Sequence, residues 1–123
     1  MSNMGTDFYW FRYKLKEGDL PESGLHIGKL RYGWVFNFSA YRKKALISYY
    51  TWKELTKNGY IYNKFGTEFS YDEFWDIVDN TRLTFEGSSP LTLEDKETLL
   101  VNENSKEYMN NGFIFTEDLI NEG

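Results

Sequence analysis

An alternating run of aromatic residues constrains the fold of this chain most strongly. Trp34, Phe36 and Phe38 alternate with smaller residues. Side chains two positions apart share one face of a strand, so the pattern predicts a half-buried β-strand. The preceding segment 25–29 is predicted to be extended, and 30–33 is predicted to turn because its glycine can adopt positive φ. The sequence therefore predicts a β-hairpin.

Two capping boxes predict helices. In the first, Thr51 precedes Glu54 by three residues, and the helix is expected to end at Gly59. In the second, Ser70 precedes Glu73, and the residues that follow form one apolar face at helical spacing. That face consists of Tyr71, Phe74, Trp75 and Val78. Both helices are short.

The rest of the chain completes a small fold. Further strands are predicted at 7–15, 60–63, 83–85 and 113–115. The acidic, weakly periodic segment 86–111 is expected to be a poorly packed or mobile excursion, and residues 1–3 a loose leader. A chain of 123 residues is the size of one domain. We expect a single α+β domain in which two short helices pack on a mainly antiparallel sheet.

Composition excludes several classes of site. The chain has no Cys and one His, which excludes a disulfide framework, a thiol nucleophile and a Cys- or His-rich metal site. We therefore expect no metal and no cofactor. No apolar run approaches the roughly 20 residues of a membrane span. The polar N-terminal segment lacks a signal-peptide pattern, so we expect a cytoplasmic protein without membrane contact.

Charge is divided unevenly along the chain. Residues 1–64 carry a net +6 and residues 65–123 a net −11, which together give the overall −5. One interpretation is that the halves neutralise each other across one fold. The other is that the acidic half presents carboxylates to a basic partner, or the basic half a face to an anionic one. The candidate partner-binding residues are then Asp72, Asp76, Asp79, Glu94 and Asp95.

The region around the only histidine is the main candidate for a ligand site. A neutral imidazole can act as a general base or contact an anion, and bases and phenols lie nearby. The candidate ligand-binding residues are Tyr9, His26, Lys29, Arg31 and Tyr32. Asp7 is the nearest acid on a neighbouring predicted strand. The alternative is that His26 satisfies a neighbouring carbonyl and has no other role. Catalytic residues stay unknown, and the sequence favours a binding protein over an enzyme.

Two further patterns in the sequence are related to anion binding. The spacing Gly24, Gly28-Lys29 fails as a phosphate loop, because the motif needs four intervening residues and Ser or Thr after the lysine. A mixture of bases and aromatics has the composition of a single-stranded nucleic-acid site. Its members are Lys29, Arg31, Tyr32, Trp34, Tyr41, Arg42, Lys43 and Lys44. The overall acidity of the chain counts against this possibility.

Two segments carry a resemblance to a known family. They are Met4-Gly5-Thr6-Asp7-Phe8-Tyr9-Trp10, and Leu25-His26-Ile27-Gly28-Lys29 followed by Gly33-Trp34-Val35-Phe36. The chain resembles a family of small uncharacterised proteins of tailed bacteriophages and prophages. Many members carry a Cys pair before the Leu-His-Ile-Gly-Lys segment, which suggests a metal knuckle. This chain has no Cys there, so that site is absent.

The resemblance implies a phage accessory protein and no particular reaction. Proteins of that class and size commonly bind and block a host factor, including defence systems. We therefore expect a protein that binds and blocks a bacterial host protein, with its acidic half as a candidate surface. The alternatives are a small-molecule or nucleotide site, or a small enzyme, around His26 and Lys29, and a single-stranded nucleic-acid binder. The oligomeric state is not indicated.

Overall fold

The computed structural model describes residues 5–31, 35–82 and 105–118, and within these ranges the chain forms an α+β fold. Two α-helices are present there, α1 (Tyr49–Leu55) and α2 (Tyr71–Asp79), with 3₁₀ turns at Pro21–Ser23 and Arg42–Lys44. The strands of the described ranges are β1 (Thr6–Phe11), β2 (Leu25–Arg31), β3 (Val35–Ala40), β4 (Tyr60–Asn63), β5 (Glu68–Phe69), β6 (Ser105–Asn110) and β7 (Phe113–Asp118).

The strands form one mixed sheet in the order β5-β4-β1-β2-β3-β7-β6. Neighbouring strands are antiparallel except β3 and β7, which run parallel. The predicted α+β class with a mainly antiparallel sheet is therefore confirmed. The parallel pair was not predicted. It requires a crossover connection, and both helices and strands β4 to β6 lie between β3 and β7 in the chain.

The predicted hairpin is confirmed, with a correction at its turn. β2 and β3 are antiparallel, and Arg31 lies opposite Val35. Leu30 and Arg31 were expected to begin the turn, but they continue β2 because both still pair with β3. Residues 32–34 lie outside the described ranges, so the candidate Tyr32 is not placed.

The first strand is shorter than predicted. β1 ends at Phe11, whereas the prediction extended it to residue 15. The chain leaves the sheet there, and the backbone N–H of Leu15 donates instead to the phenolic oxygen of Tyr62 at 2.8 Å. The strand predicted at 60–63 is confirmed as β4, which pairs with β1 on its other side.

A bulge in β2 decides which side chains reach each face of the sheet. Phe8 pairs with Gly28 and the next residue, Tyr9, pairs with His26, so Ile27 is an extra residue. Ile27 and Gly28 are therefore both buried on the core side. A Cβ at Gly28 would lie 2.5 Å from the Phe36 ring, so the close strand packing requires glycine. The bulge directs His26 to the opposite face, beside Tyr9.

Both helices start at capping boxes, one of them predicted correctly. For α2, the Ser70 hydroxyl accepts from the Glu73 backbone N–H and the Glu73 carboxylate accepts from that of Ser70, as predicted. For α1, the N-cap is Ser48 and not Thr51. Thr51 is the third helical residue, and its hydroxyl accepts from the Ser48 backbone N–H at 2.9 Å. Thr51 therefore pairs with Ser48, on its N-terminal side, and Glu54 lies one turn further into the helix.

The core consists mainly of aromatic rings between the sheet and the two helices. Phe38 on β3 stacks on Phe115 of β7, with ring centroids 4.8 Å apart, and lies 5.9 Å from Trp75 of α2. Phe8 on β1 contacts Phe74 of α2 edge-on at 5.3 Å. The predicted apolar face of α2 is confirmed. The buried residues of both helices belong to one cluster, so both helices pack on the same face of the sheet.

The C-terminal part of the chain is more regular than predicted. The excursion was expected over 86–111, but residues 105–110 form β6, which pairs along its length with β7. The last strand, predicted at 113–115, is confirmed and extends to Asp118. The strand predicted at 83–85, the segment 86–104 and the predicted leader 1–3 lie outside the described ranges. No described helix has the length and hydropathy needed to cross a membrane.

Candidate functional site

The face of the sheet opposite the helices carries the predicted ligand residues Tyr9, His26 and Lys29. We call this surface, formed by the outward side chains of β1, β2, β3 and β7, the open face. Asp7 and Tyr9 lie on it because Phe8 between them points into the core. Lys29 lies opposite Asp7 on one side and Asn37 on the other, so it shares this face.

Three polar side chains on the open face form a continuous hydrogen-bonded chain. His26 Nε2 lies 2.8 Å from Asp7 Oδ1, and His26 Nδ1 lies 2.6 Å from Ser39 Oγ. A carboxylate only accepts hydrogen bonds, so Nε2 carries the hydrogen and Nδ1 of the neutral ring accepts from the Ser39 hydroxyl. The array is half-buried, with 32% of the His26 side chain and 26% of the Asp7 side chain exposed.

The histidine is held on two further sides. The Tyr9 ring meets the imidazole edge-on, with centroids 5.3 Å apart. The Tyr41 hydroxyl donates to the His26 backbone carbonyl at 3.0 Å. Burial, followed by the nearby negative charge of Asp7, raises the pKa of the Tyr9 phenol above its usual 10.0. Tyr9 is therefore a neutral hydroxyl at physiological pH, and it frames the site without adding charge.

A second polar group extends the open face towards β7. The Asn37 side-chain amide donates to Thr116 Oγ1 at 3.0 Å and to the Phe38 carbonyl at 3.1 Å. Only 8% of Asn37 is exposed, which means that its amide is committed to these bonds. The polar alternation of β3, with Asn37 and Ser39 facing away from the core, thus serves two separate hydrogen-bond groups.

Of the predicted ligand residues, the structure brings some together and leaves others apart. Tyr9 and His26 are in ring contact, and Lys29 lies on the same face. Arg31 is exposed at the end of β2. The suggested pairing of Asp7 with His26 is confirmed. Ser39 was not predicted as a site residue. Its alternation with core aromatics indicated only that it is a polar residue on the outer face of the strand.

The predicted acidic surface lies on the other side of the molecule. Asp72 and Asp76 are exposed on α2, which turns its apolar side to the sheet. Asp79 is engaged within the fold, since it accepts from the Tyr49 hydroxyl at 2.7 Å and from the Arg82 guanidinium at 3.3 Å. The remaining candidates, Glu94 and Asp95, lie outside the described ranges.

The described residues do not fit the metal knuckle that the family resemblance suggests. The sequence has no Cys to supply thiolates. Within the part of the chain that the structure describes, no three His, Asp or Glu side chains converge on one point. Structural zinc sites need four such ligands, which these residues do not supply.

Two of the surface grooves formed by the described residues are lined without the histidine. One, of about 440 Å³, is mainly apolar and is lined by Trp10, Arg12, Leu25, Lys44, Leu46 and Leu55. The other, of about 540 Å³, is lined by residues Phe11 to Lys16 and by Asp19. His26, Tyr9 and Lys29, which are all partly buried, line neither of these two grooves.

Part of the predicted nucleic-acid surface has a structural role. Arg42 donates two hydrogen bonds to the Glu117 carboxylate, at 2.9 and 2.8 Å, although Glu117 is only 1% exposed. Burial and the neighbouring Glu117 raise the pKa of Tyr108 to about 12. Arg42 therefore compensates a buried charge within the fold.

Comparison with models of protein families, with curated protein sequences and with solved structures gave no match to this chain.

Proposed function

We propose that this protein is a phage accessory protein, one α+β domain acting in the cytoplasm of an infected bacterium, that binds and blocks a host protein. The outward side of α2 supports the binding role. Asp72 and Asp76 are exposed there, and within the described ranges neither is within ion-pair distance of Lys or Arg. The phage origin rests on the resemblance of the two N-terminal segments.

The negative charge of this surface determines which partner it favours and how binding depends on salt. Asp72 and Asp76 are four residues apart on a helix, so their carboxylates lie on the same side. Unpaired surface carboxylates favour a partner with a complementary basic patch and accelerate association more than they increase affinity. Such an effect weakens with salt, because the Debye length is only about 8 Å at physiological ionic strength.

The experiment compares the two faces of the molecule. Tagged wild-type protein is used to capture partners from host lysate, and the identified partner is then purified and titrated at low and high salt. We expect Asp72→Asn/Asp76→Asn to weaken binding about tenfold, equivalent to about 1.4 kcal/mol. Glu54→Gln removes an exposed carboxylate of α1 that already pairs with Lys57, and serves as the matched control.

A second variant, on the open face, is compared with the α2 variant. His26→Gln/Lys29→Gln alters that face and leaves α2 unchanged. If this variant loses the partner and the α2 variant keeps it, the α2 surface is the wrong one. If no protein is captured stoichiometrically by the wild type, the binding function itself is refuted.

A small-ligand site on the open face is the second candidate function. It is supported by the contact between Tyr9 and His26, with the positive charge of Lys29 on the same face. Heating the purified protein and analysing the supernatant by mass spectrometry tests for a co-purified nucleotide or other anion. A thermal shift with a nucleotide panel, lost in Lys29→Gln, would support the site, and no shift with any nucleotide would count against it.

A further inference from the structure

The open-face array brings together an acid, an imidazole and a hydroxyl from three different strands. Asp7 comes from β1, His26 from β2 and Ser39 from β3. The bulge at Ile27 is what turns His26 towards both partners. Polar side chains on neighbouring strands often do no more than satisfy each other's hydrogen-bonding capacity. Here, however, the serine hydroxyl donates to the imidazole and the imidazole donates to the carboxylate, which is the order that activates a serine hydroxyl.

We propose that Ser39 is a nucleophile that accepts acyl groups from small activated esters, with His26 as general base and Asp7 positioning the imidazole. This activity goes beyond the proposed binding function and does not depend on it. The serine–imidazole distance of 2.6 Å is short enough for direct proton transfer. The imidazole–carboxylate distance of 2.8 Å is that of a hydrogen bond, which orients the imidazole.

The reaction is an acyl transfer in two steps. Ser39 Oγ bonds to the ester carbonyl carbon while its proton moves to His26 Nδ1, and the bond from that carbon to the leaving oxygen breaks. The leaving oxygen takes the proton from Nδ1 and departs as the alcohol. A stable anion such as nitrophenolate departs without that proton, and Nδ1 then gives it to solvent before the second step. In the second step water attacks the acyl-serine, gives a proton to Nδ1, and releases the carboxylic acid as the Ser39 hydroxyl regains its hydrogen.

The surroundings indicate which esters would react. Only 32% of the His26 side chain is exposed, which favours small esters over bulky ones. The Tyr9 ring beside the imidazole provides an apolar edge for a small aryl or acyl group. Lys29 adds a positive charge to the same face, which favours the negative charge that develops on the carbonyl oxygen. A small aryl acetate fits these conditions.

The first test is chemical labelling of the wild-type protein. The protein is treated with 4-nitrophenyl acetate, and separately with a fluorophosphonate probe, and the modified residue is mapped by peptide mass spectrometry. We expect modification at Ser39, and an initial nitrophenolate release that falls by at least about 100-fold in Ser39→Ala. Ser23→Ala removes a hydroxyl that donates only to the Leu20 carbonyl and should react like the wild type.

The second test isolates the role of Asp7. In Asp7→Asn, the side-chain amide donates to Nε2, so the hydrogen moves to Nδ1 and the ring can no longer accept the Ser39 proton. Acylation should slow by at least about 100-fold, with a changed pH–rate profile, while circular dichroism and the melting temperature stay near wild type. Wild-type labelling that misses Ser39 would overturn the proposal. Unchanged acylation in Asp7→Asn would also overturn it.

Discussion

Replacing Arg42 with alanine should destabilise the fold through a buried carboxylate. Glu117 is 1% exposed, and both of its oxygens accept hydrogen bonds from Arg42. Removing one partner of a fully buried pair typically costs about 3–5 kcal/mol, because the remaining charge has lost its compensation. Arg42 itself is 60% exposed, so water can partly replace it. We therefore expect a loss of about 2 kcal/mol in the free energy of unfolding.

The magnitude is measurable by urea denaturation followed by tryptophan fluorescence. For a chain of 123 residues, about 2 kcal/mol corresponds to a melting temperature lowered by about 8 °C. The matched control is Lys57→Ala, which breaks an exposed pair with Glu54 at 3.2 Å and should cost less than about 0.5 kcal/mol. Equal m-values across the variants would show that the denatured state is unchanged.

A double variant separates charge from packing. Arg42→Met/Glu117→Met removes both charges and keeps most of the volume, so it should be more stable than Arg42→Ala alone. The reasoning is refuted if Arg42→Ala costs no more than Lys57→Ala. It is also refuted if the double variant is less stable than the single one, because the pair would then contribute through contacts other than charge compensation.

Three further predictions concern single side chains. Thr56→Val should cost about 1–3 kcal/mol in urea denaturation, because it leaves the buried Trp75 indole N–H, now 2.9 Å from the Thr56 hydroxyl, without its acceptor; Thr56→Ser keeps the acceptor and should cost less. Gly28→Ala should cost at least about 1–3 kcal/mol, because its Cβ would lie 2.5 Å from the Phe36 ring; an unchanged melting temperature would contradict this. Burial raises the pKa of Tyr108 from 10.0 to about 12, so stability is retained below pH 10 and lost as the pH rises towards 12; the pH dependence measured for Tyr108→Phe should be flatter, and an equally steep one would contradict the assignment.

The elements predicted correctly are those specified by neighbouring residues. α2 has its capping box and its apolar face within a few residues of one another, which is why both could be predicted from the sequence. α1 shows how the same signal can mislead. Thr51 and Glu54 match the capping pattern, but the box that forms joins Ser48 and Thr51 one turn earlier, with a threonine hydroxyl in place of the usual Glu or Gln side chain. Propensity alone does not distinguish two overlapping caps.

The features that the sequence did not reveal depend on residues far apart. The parallel pairing places Asn37 opposite Ile114, and no local pattern specifies such a partner. The polar array at His26 depends on the bulge at Ile27, which breaks the simple alternation from which faces are predicted. The pairing of Asp7 with His26 could be suggested from adjacent strands, whereas Ser39 required the actual register of the sheet.

The position of β7 also determines when the sheet can be completed during synthesis. β7 lies between β3 and β6, yet β3 ends at Ala40 and β7 ends at Asp118. At roughly 5–20 residues per second, the ribosome needs roughly 4–16 s to make the intervening chain. During that time β3 has an unpaired edge, and its aromatic side chains lack Phe113 and Phe115 as partners. The nascent hairpin is therefore exposed to edge-to-edge association, and conditions that slow translation should lower the yield of folded protein.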